Sequence, residues 1–305
     1  MDESKRKQIA KLCASIEKKQ GKGSIYSLGS SHSYINIKRV STCIEDLDAA
    51  IGGGIPQGRV IEIFGPESSG KTSLALHLAS LYDLCLYIPA EGTFDASRAK
   101  VFGNKPKQLL IYNCDYGEDA MDKTLEFAQA GIPLIIIDSV PFLQPRYDVE
   151  SILNTSEKEL RIGGVARLLS KTLPPLVKIC ERTGTTIIFI NQVRDKMDAV
   201  MFGEKTQTPG GHVLKHSCSL RIQVARRQWI EVPNKDPRNS ASNQKIGLII
   251  KGKIVKSKVC NPFAEVEMPM LFDRGFVSHD EVTDIRREIM AANRKRKSKD
   301  EDDDE

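Results

Sequence analysis

Residues 59–72 read RVIEIFGPESSGKT, an apolar stretch that leads directly into a loop. The loop and its continuation are Gly65, Pro66, Glu67, Ser68, Ser69, Gly70, Lys71, Thr72 and Ser73. The apolar half predicts a strand, and SLALHLASLY at 73–82 predicts a helix. Between them, the spacing G-x-x-x-x-G-K-[ST] is typical of a loop whose backbone N–H groups surround phosphate oxygens at a helix N-terminus. Lys71 should reach the outer phosphates and the Thr72 hydroxyl should ligate Mg²⁺, so the stretch predicts binding of a nucleoside triphosphate.

The composition is that of a large globular chain. Of its 305 residues, 40% are hydrophobic, which is enough for one large core. No window approaches the ~18 consecutive apolar residues of a membrane span, and the N-terminus MDESKRKQ is too charged for a signal peptide. The seven cysteines are scattered and never form a C-x-x-C pair. We therefore expect free thiols and a cytoplasmic chain with no membrane partner.

Charge is distributed unevenly along the chain. The net charge is +5, but the last six residues are all acidic, so residues 1–299 alone carry +11. A basic body with an acidic tail suggests a polyanionic partner and a segment that competes with it. The tail could equally serve solubility alone, and the charge pattern does not separate the two interpretations.

Strand and helix patterns alternate through the middle of the chain. The candidate strands are 59–64, 84–90, 108–113, 134–138 and 186–191, and the candidate helices are 71–82, 95–102, 117–130 and about 158–182. The strands are short and apolar on both faces, as in a parallel sheet covered by helices. From 218 onward the strand segments alternate in polarity, which predicts antiparallel pairing at one side of the sheet. The predicted fold class is α/β, a P-loop ATPase core with a mostly parallel central sheet extended by antiparallel strands.

The two ends differ from this core. Residues 4–20 place Ile9, Leu12 and Ile16 at helical spacing. A Gly/Ser-rich stretch at 21–33 follows, so the helix could pack on its own domain or on a neighbouring subunit. Residues 280–296 predict a final helix with a basic end, and we expect disorder beyond 297. The predicted division is therefore 1–33, 34–270 and a short C-terminal segment at 271–305.

Three polar groups follow predicted strands. Asp138 ends the strand 134–138, and together with the P-loop this position favours a role in holding magnesium over capping the next helix. Glu91 follows the strand 84–90, where a carboxylate could orient an attacking water, although alone this signal is weak. Gln192 ends the strand 186–191, where its amide could bind a γ-phosphate or simply end a strand. Spacing does not decide between these two roles.

Several stretches together resemble the bacterial RecA recombinases. Besides the P-loop, they are STCIEDLDAAIGGGIPQGRVIEIFGP (41–66), FINQVR (189–194), MFGEKTQTPGGHVLK (201–215), KSKVCNPF (256–263) and IEKKQGKGSIYSLG (16–29). The resemblance covers about residues 4–270. It implies a RecA-type, DNA-dependent ATPase with ATP and Mg²⁺ as cofactors. Such a protein forms helical filaments of itself on single-stranded DNA and exchanges strands with double-stranded DNA in recombination and repair. It also implies an oligomerisation role for residues 1–33.

The resemblance implies specific roles at the ATP site. Glu91 would activate water, and Gln192 would sense the γ-phosphate. Lys256 and Lys258 would reach ATP held by the adjacent subunit, so that hydrolysis would require a filament. Asp95 would bind the adenine amino group. Arg98 stands where a tyrosine usually stacks on adenine, so the resemblance implies altered base selectivity.

The resemblance also implies two DNA-binding loops, at about 150–162 and 193–210. Loops of this length inside a compact domain are themselves suggestive of function. The implied single-strand contacts are Arg167, Ser170, Arg194, Gly210, Gly211 and His212, with Ile162 and Met197 as the apolar wedges between base triplets. The implied secondary site for the incoming or displaced strand is Arg226, Arg227, Lys251 and Lys253, a salt-sensitive basic surface.

Four features depart from the family pattern. They are Arg98, His216 in place of a phenylalanine at the subunit interface, the pair Pro174-Pro175 that is expected to interrupt a helix, and the short segment after 270. Two alternatives stay open, and the departures at Arg98, His216 and the C-terminus motivate the first of them. One is a single-strand-coating ATPase scaffold with weak strand exchange, and the other is a RecA-core ring motor.

Overall fold

The computed structural model describes residues 2–21, 24–25, 37–92, 94–153, 163–195, 206–233 and 243–302. The chain divides into two compact units, Met1–Lys38 and Arg39–Glu305. In the first unit, helix α1 spans Glu3–Gln20, and the Asp2 side chain caps its N-terminus. Ile9 and Leu12 on this helix are exposed, so among the described residues of this unit they have no apolar cover.

The second unit alternates helices and strands. Its helices are α2 (Glu45–Ile51), α3 (Lys71–Ser80), α4 (Ala96–Val101), α5 (Gly117–Gln129), α6 (Arg146–Leu153), α7 (Gly164–Thr183), α8 (Gly211–Ser217) and α9 (His279–Asp302). Its strands are β1 (Arg39–Val40), β2 (Ile55–Pro56), β3 (Val60–Gly65), β4 (Cys85–Pro89), β5 (Leu109–Ile111), β6 (Leu134–Asp138), β7 (Thr186–Gln192), β8 (Arg194–Asp195), β9 (Thr206–Gln207), β10 (Leu220–Pro233), β11 (Asn243–Ser257), β12 (Glu265–Leu271) and β13 (Gly275–Phe276).

Nine of the described strands form one sheet, in the order β13-β12-β11-β10-β3-β7-β6-β4-β5. Every pair from β10 to β5 is parallel, whereas β10, β11, β12 and β13 pair antiparallel. The predicted α/β class and the mostly parallel sheet with antiparallel additions are therefore confirmed. The predicted strands agree with the observed ones within two residues, and the strand 134–138 matches β6 at both ends.

Both faces of the parallel strands are buried because successive side chains point to opposite sides. On β3, Ile61 and Ile63 join the core cluster that includes Leu74 and Leu78 of α3. Val60 on the same strand joins the opposite cluster, which contains buried residues of α5 and α7. Because these strands are parallel, their carboxyl ends lie at one edge of the sheet, between the two helix layers. This edge is where α/β folds place their ligands.

Helix α7 corrects one expectation. It runs without interruption from Gly164 to Thr183 and contains both Pro174 and Pro175. An interior proline costs about 3 kcal/mol, but burial of a leucine contributes about 1.5–3 kcal/mol. Leu169, Leu173 and Leu176 are all buried against the sheet, so packing holds the helix together through the proline pair.

Two other boundaries differ from the predictions. The loop expected at about 150–162 begins as helix, because α6 continues to Leu153, and residues 154–162 lie outside the described part. The final helix expected at 280–296 is longer than predicted, because α9 spans His279–Asp302; residues 303–305 lie outside the described part. The first turns of α9 are anchored by Val282 and Ile285, which pack against a cluster with Ile230, Ile249 and Leu271. No helix in the described ranges has the length and apolar character needed to cross a membrane.

Candidate nucleotide and DNA sites

The P-loop closes tightly between β3 and α3, and two glycines allow this. A Cβ on Gly65 would lie 2.0 Å from the carbonyl oxygen of Val224, and one on Gly70 would lie 2.3 Å from Ile250 Cδ1. Gly70 also has a φ of +90° and precedes the first residue of α3. At Gly65 the obstacle is the backbone of β10, so a larger residue would displace the loop, whereas at Gly70 the left-handed φ and the buried Ile250 side chain together favour glycine.

The P-loop lysine is held by its own loop. Lys71 is largely buried, and its Nζ donates a hydrogen bond of 2.6 Å to the carbonyl oxygen of Pro66. Burial lowers the pKa of Lys71, while Asp138, Glu91 and Glu67 oppose this change. The Lys71 amino group therefore points into the loop, where it donates to the Pro66 carbonyl oxygen as it could to a phosphate oxygen.

Thr72 and Asp138 meet across the ends of α3 and β6. Thr72 Oγ1 donates to Asp138 Oδ2 at 2.8 Å, and the Tyr87 hydroxyl donates to the same oxygen at 2.6 Å. Burial raises the pKa of Asp138, although the two hydrogen bonds act against this. The pair was predicted from sequence, but Tyr87 was not, since it lies in the middle of an apolar strand. Only its position on the strand next to β6 reveals its role.

These residues fit a nucleotide with Mg²⁺. The Ser69 hydroxyl oxygen is buried without a hydrogen-bond partner in the described structure, although a buried polar atom normally has one. A hydroxyl beside a carboxylate is also the oxygen donor set that Mg²⁺ prefers. The described residues contain no group of three or more His, Cys, Asp or Glu side chains placed to hold a metal alone. That agrees with Mg²⁺ sites in which substrate phosphates supply ligands.

Glu91 and Gln192 are joined beside this pair. Glu91 Oε1 accepts hydrogen bonds from Ser139 Oγ at 2.7 Å and from Gln192 Nε2 at 3.3 Å. The Glu91 backbone N–H also donates to the Asp138 carbonyl at 3.2 Å. Three predicted residues from β6, β7 and the end of β4 therefore meet at one edge of the sheet. Ser139, which positions the carboxylate, was missed because a serine after a strand carries no distinctive signal.

Arg98 bridges α4 and the P-loop helix. Its Nη2 donates to Ser73 Oγ at 3.2 Å, and its guanidinium lies 5.2 Å from the centre of the Phe102 ring. Asp95 caps α4 by accepting from the backbone N–H groups of Ser97 and Arg98 through Oδ1. The two residues implied for adenine binding thus lie together at the start of α4, next to the phosphate loop.

A buried polar network lies behind the P-loop, and sequence analysis missed it. Asn191 Nδ2 donates to Glu62 Oε1 at 2.8 Å and to the Pro209 carbonyl at 2.9 Å. Its Oδ1 accepts from the backbone N–H of Gln192 at 2.9 Å. Arg221 forms an ion pair with the other oxygen of Glu62. Glu62 within an apolar strand was the signal that could have predicted this network, because a carboxylate is rarely fully buried without a partner.

Lys256 and Lys258 both contact the C-terminal end of α8. Lys256 Nζ donates to the carbonyls of Lys215 and His216, the latter at 3.1 Å, and Lys258 Nζ donates to His216 at 2.9 Å. Burial, and then the nearby charge of Lys258, lower the pKa of Lys256. Cations at a helix C-terminus are favourable because they face the unpaired carbonyls.

Nearly the whole chain is similar in sequence to known proteins. The model of the RecA N-terminal domain matches residues 7–277. Protein RecA of Sulfurimonas denitrificans is 38% identical over 290 residues, which cover 93% of this chain and 80% of that protein. Protein RecA of Sulfurovum is also 38% identical, and that of Wolinella succinogenes is 37% identical, each over 93% of this chain.

The chain belongs to the RecA family. Membership confirms the resemblance drawn from the P-loop, FINQVR and KSKVCNPF stretches, and it gives the chain the role of a recombinase in DNA recombination and repair. The match ends at residue 277, close to the start of α9 at His279. Helix α9 therefore lies outside the residues matched by the model of the RecA N-terminal domain.

The described residues of the second expected DNA loop, at about 193–210, line a cleft of about 550 Å³ together with residues next to the first expected loop. Arg194 and Gln207 pair across the short β8–β9 hairpin, and Gly210 and Gly211 begin α8 on another wall. Gly164, the first residue of α7, also lines this cleft and was not predicted from sequence. Ile162 and Met197, the expected apolar wedges, lie outside the described residues.

An adjoining cleft of about 210 Å³ is lined by Arg167 and Lys171 of α7. Ser170 is exposed on the same helix, and its hydroxyl donates to the Arg167 carbonyl at 2.8 Å. His212 is exposed one residue after Gly211. The predicted single-strand residues that are described therefore fall on α7, α8 and the hairpin, around neighbouring clefts.

The predicted secondary surface lies on β10 and β11, and its cations already have partners. Arg227 pairs with Glu267, and Lys251 and Lys253 pair with Glu265 at 2.6 and 3.2 Å. Arg226 lies 4.6 Å above the Trp229 ring. Sequence analysis missed the two glutamates because their position depends on the β11–β12 register, which places Glu265 opposite Lys253.

Proposed function

We propose that this RecA-family chain binds ATP with Mg²⁺, forms helical filaments on single-stranded DNA, and hydrolyses ATP in a DNA-dependent manner while it pairs and exchanges homologous strands. The observation that supports this most directly is the hydrogen-bonded group of Glu91, Ser139 and Gln192 beside Thr72 and Asp138. A potential base, a polar sensor and a magnesium-type donor pair meet there at the carboxyl edge of a parallel sheet.

Binding would use residues 65–73. Lys71 would exchange the Pro66 carbonyl for the outer phosphates, and Thr72 with Asp138 would hold Mg²⁺. When bound, that ion supplies neutralisation of the phosphate charge. Arg98 would exchange its contact with Phe102 for the adenine ring, since a guanidinium can stack on either. Asp95 would keep α4 capped through one carboxylate oxygen and accept the adenine amino group through the other.

Hydrolysis would use Glu91 as the base. It would take a proton from a water whose oxygen bonds to the γ-phosphorus, while the bond from that phosphorus to the β–γ bridging oxygen breaks and ADP leaves. Ser139 would hold the carboxylate in place through its 2.7 Å hydrogen bond. Gln192, which already contacts the same carboxylate, would turn towards the γ-phosphate and so report its presence.

Hydrolysis would also need a second subunit. Lys256 and Lys258 lie against the C-terminal end of α8 and would reach ATP bound by a neighbouring copy. Leaving the His216 carbonyl would free them for this contact. Residues 1–33 would join the copies, residues 34–270 would form the ATPase core, and residues 271–305 would form a short C-terminal segment.

DNA would bind in two places. A single strand would lie along the clefts lined by Arg167, Arg194 and Gly210–Gly211, where backbone N–H groups and cations suit phosphates. Double-stranded DNA, or the displaced strand, would lie on the basic surface of β10 and β11. Base pairing itself would read the sequence, so the protein needs backbone contacts and no code for individual bases.

The experiment is to measure ATP hydrolysis with and without single-stranded DNA over a range of protein concentrations, followed by joint-molecule formation with homologous duplex. Strong stimulation by DNA, a steep dependence on concentration and joint molecules would support the proposal. Hydrolysis that ignores DNA would overturn it. Stimulated hydrolysis without joint molecules would favour the single-strand-coating scaffold, for which the ion-paired secondary surface is the specific observation. Closed hexameric rings in the microscope would favour the ring motor.

A further inference from the structure

Helix α8 carries two histidines on one face. His212 and His216 are four residues apart, which is about one turn of the helix, and both are exposed. Their rings are stacked with centroids 6.3 Å apart and an interplanar angle of 26°. Neither imidazole is needed for the hydrolysis proposed above, for which the two lysines only have to leave the His216 carbonyl.

We propose that His212 and His216 together bind one divalent transition-metal ion of the zinc class. Two histidines spaced i, i+4 on a helix present their ring nitrogens to a common point, and this spacing recurs in zinc sites. Imidazole suits Zn²⁺, Ni²⁺ and Cu²⁺, whereas Mg²⁺ prefers oxygen ligands. The ion of this site is therefore chemically distinct from the one expected beside Thr72 and Asp138.

The geometry allows a shared ion. A zinc–nitrogen bond is about 2.0–2.1 Å long, so the two nitrogens must approach within roughly 4 Å of each other. Because both rings are exposed and already face each other at 6.3 Å, rotation about their side-chain bonds suffices. No third His, Cys, Asp or Glu completes a cluster within the described residues. Water would therefore fill the remaining positions, as in an open site.

The surroundings limit the affinity. Lys256 and Lys258 both donate to the His216 carbonyl, so two positive charges lie near one end of the site. We therefore expect the affinity of an open two-imidazole site, weaker than that of a closed structural zinc site. An ion bound at this site would also affect the two lysines. It would stabilise the turn of α8 between His212 and His216, and the carbonyl of His216 accepts the hydrogen bonds of both lysines.

Fixing that turn matters for a helix of this length. Helix α8 has seven residues, too few to be stable without tertiary contacts. At one end it begins with Gly211 in the cleft of the DNA loops, and at the other it ends beside the two lysines. A bound ion would stabilise the wound form of α8 and make its amide hydrogens exchange more slowly.

The test is a titration of the full-length protein with Ni²⁺, in competition with a coloured chelator and without nucleotide or DNA. We expect one equivalent to bind, and His212→Asn and His216→Gln each to weaken that binding about tenfold or more, since each removes one of two ligands. His279→Gln is the matched control, because it removes another exposed histidine and should leave the binding unchanged. Equal affinity in wild type, His212→Asn and His216→Gln would overturn the proposal.

Hydrogen exchange locates the site independently of the variants. With Ni²⁺ at saturation, peptides that cover residues 211–217 should exchange more slowly in the wild type and at an unchanged rate in His212→Asn. Slowing confined to peptides around the cysteines, for example Cys43 or Cys260, would show that the ion binds thiols instead and would also overturn the proposal.

Discussion

Asn191 and Glu62 are both fully buried, and the side-chain amide of Asn191 donates a 2.8 Å hydrogen bond to the carboxylate of Glu62. Glu62 belongs to the strand that enters the P-loop, and Asn191 directly precedes Gln192. The second amide hydrogen of Asn191 bonds to Pro209, the residue before Gly210. One side chain therefore connects the strand of the phosphate loop to the end of the segment that we propose as the second DNA loop.

Replacement of Asn191 by Asp tests this tie. The new carboxylate would face Glu62 in a buried site and would have no hydrogen to donate to Pro209. We expect the free energy of unfolding to fall by about 3 kcal/mol, the order of an uncompensated buried charge. We also expect a larger loss of DNA stimulation than of basal ATP hydrolysis. Urea unfolding and ATPase rates with and without single-stranded DNA measure the two effects.

A double variant separates charge from shape. Asn191→Asp combined with Glu62→Gln exchanges the acid and the amide between the two positions and leaves one carboxylate near Arg221. Part of the lost stability should return, so the two changes should not be additive. An Asn191→Asp protein as stable as the wild type, or strictly additive effects, would contradict the assignment.

Replacement of Glu91 by Gln should remove the base and keep nucleotide binding. The amide oxygen can still accept from Ser139 Oγ, but it cannot take a proton from water. We expect DNA-stimulated hydrolysis to fall about 10²–10⁴-fold with little change in the dissociation constant of a fluorescent ATP analogue. Asp83→Asn is the control, because it removes an exposed carboxylate shortly after the end of α3. Normal hydrolysis by Glu91→Gln would rule out Glu91 as the base.

Replacement of Asp138 by Asn should stabilise the nucleotide-free protein while it abolishes Mg²⁺-dependent ATP binding. Because burial raises the pKa of Asp138, the folded form keeps the proton to a higher pH than the unfolded form. The stability that depends on this group is therefore full at acid pH and is lost as the pH rises through the raised pKa.

Asparagine is neutral throughout and can still accept from Tyr87 and Thr72. We expect Asp138→Asn to be more stable than wild type by about 1 kcal/mol near pH 8, and this difference should shrink towards acid pH. Urea unfolding without nucleotide across this range measures it. A difference that grows on acidification would show that the carboxylate is stabilised in the folded state, contrary to the inferred cause.

Replacement of Glu265 by Gln should strengthen duplex DNA binding. Hydrogen bonds from Lys251 and Lys253 lower the pKa of Glu265, so the carboxylate is ionised at neutral pH and offsets their charge. Without it, the plot of log affinity against log salt should steepen by about one unit. Glu126→Gln, on α5 and outside this surface, is the control. An unchanged salt dependence would place duplex DNA elsewhere.

Mixing two inactive variants tests whether active sites are shared between subunits. Glu91→Gln lacks the base but keeps both lysines, and Lys256→Ala lacks a lysine but keeps the base. Each alone should hydrolyse ATP poorly on DNA. In an equal mixture, about a quarter of the interfaces would combine the intact halves and regain activity, if Lys256 acts in trans as an arginine finger does. Co-assembled filaments that stay inactive would show that Lys256 serves its own subunit.

The sequence predicted the parts of the site that depend on local pattern. The P-loop, the strand that ends at Asp138, and the positions of Glu91 and Gln192 all follow from short stretches in which strand, loop and helix adjoin. A parallel sheet then brings these strand ends to one edge, but the roles of Glu91 and Gln192 were predicted from the resemblance to the RecA family, because spacing alone did not decide them.

Contacts that depend on strand order or register could not be predicted in this way. Tyr87 reaches Asp138 because β4 lies beside β6, and Glu265 faces Lys253 because of the β11–β12 register. The persistence of α7 through Pro174 and Pro175 depends on the burial of leucines from the same helix. In each case the contact is made with a residue that is distant along the chain, and for the leucines of α7 it is made with the strands of the sheet.

The two edge strands of the sheet affect how readily copies of the protein aggregate when they are close together. An edge strand exposes unpaired N–H and C=O groups, which other chains can extend into aggregates. Here the two edges are β13, with two residues, and β5, with three, while the long strands β10 and β11 lie in the interior of the sheet. At these two ends of the described sheet, copies held side by side at high density would find at most three residues of strand to extend, which limits growth of β-structure from either end.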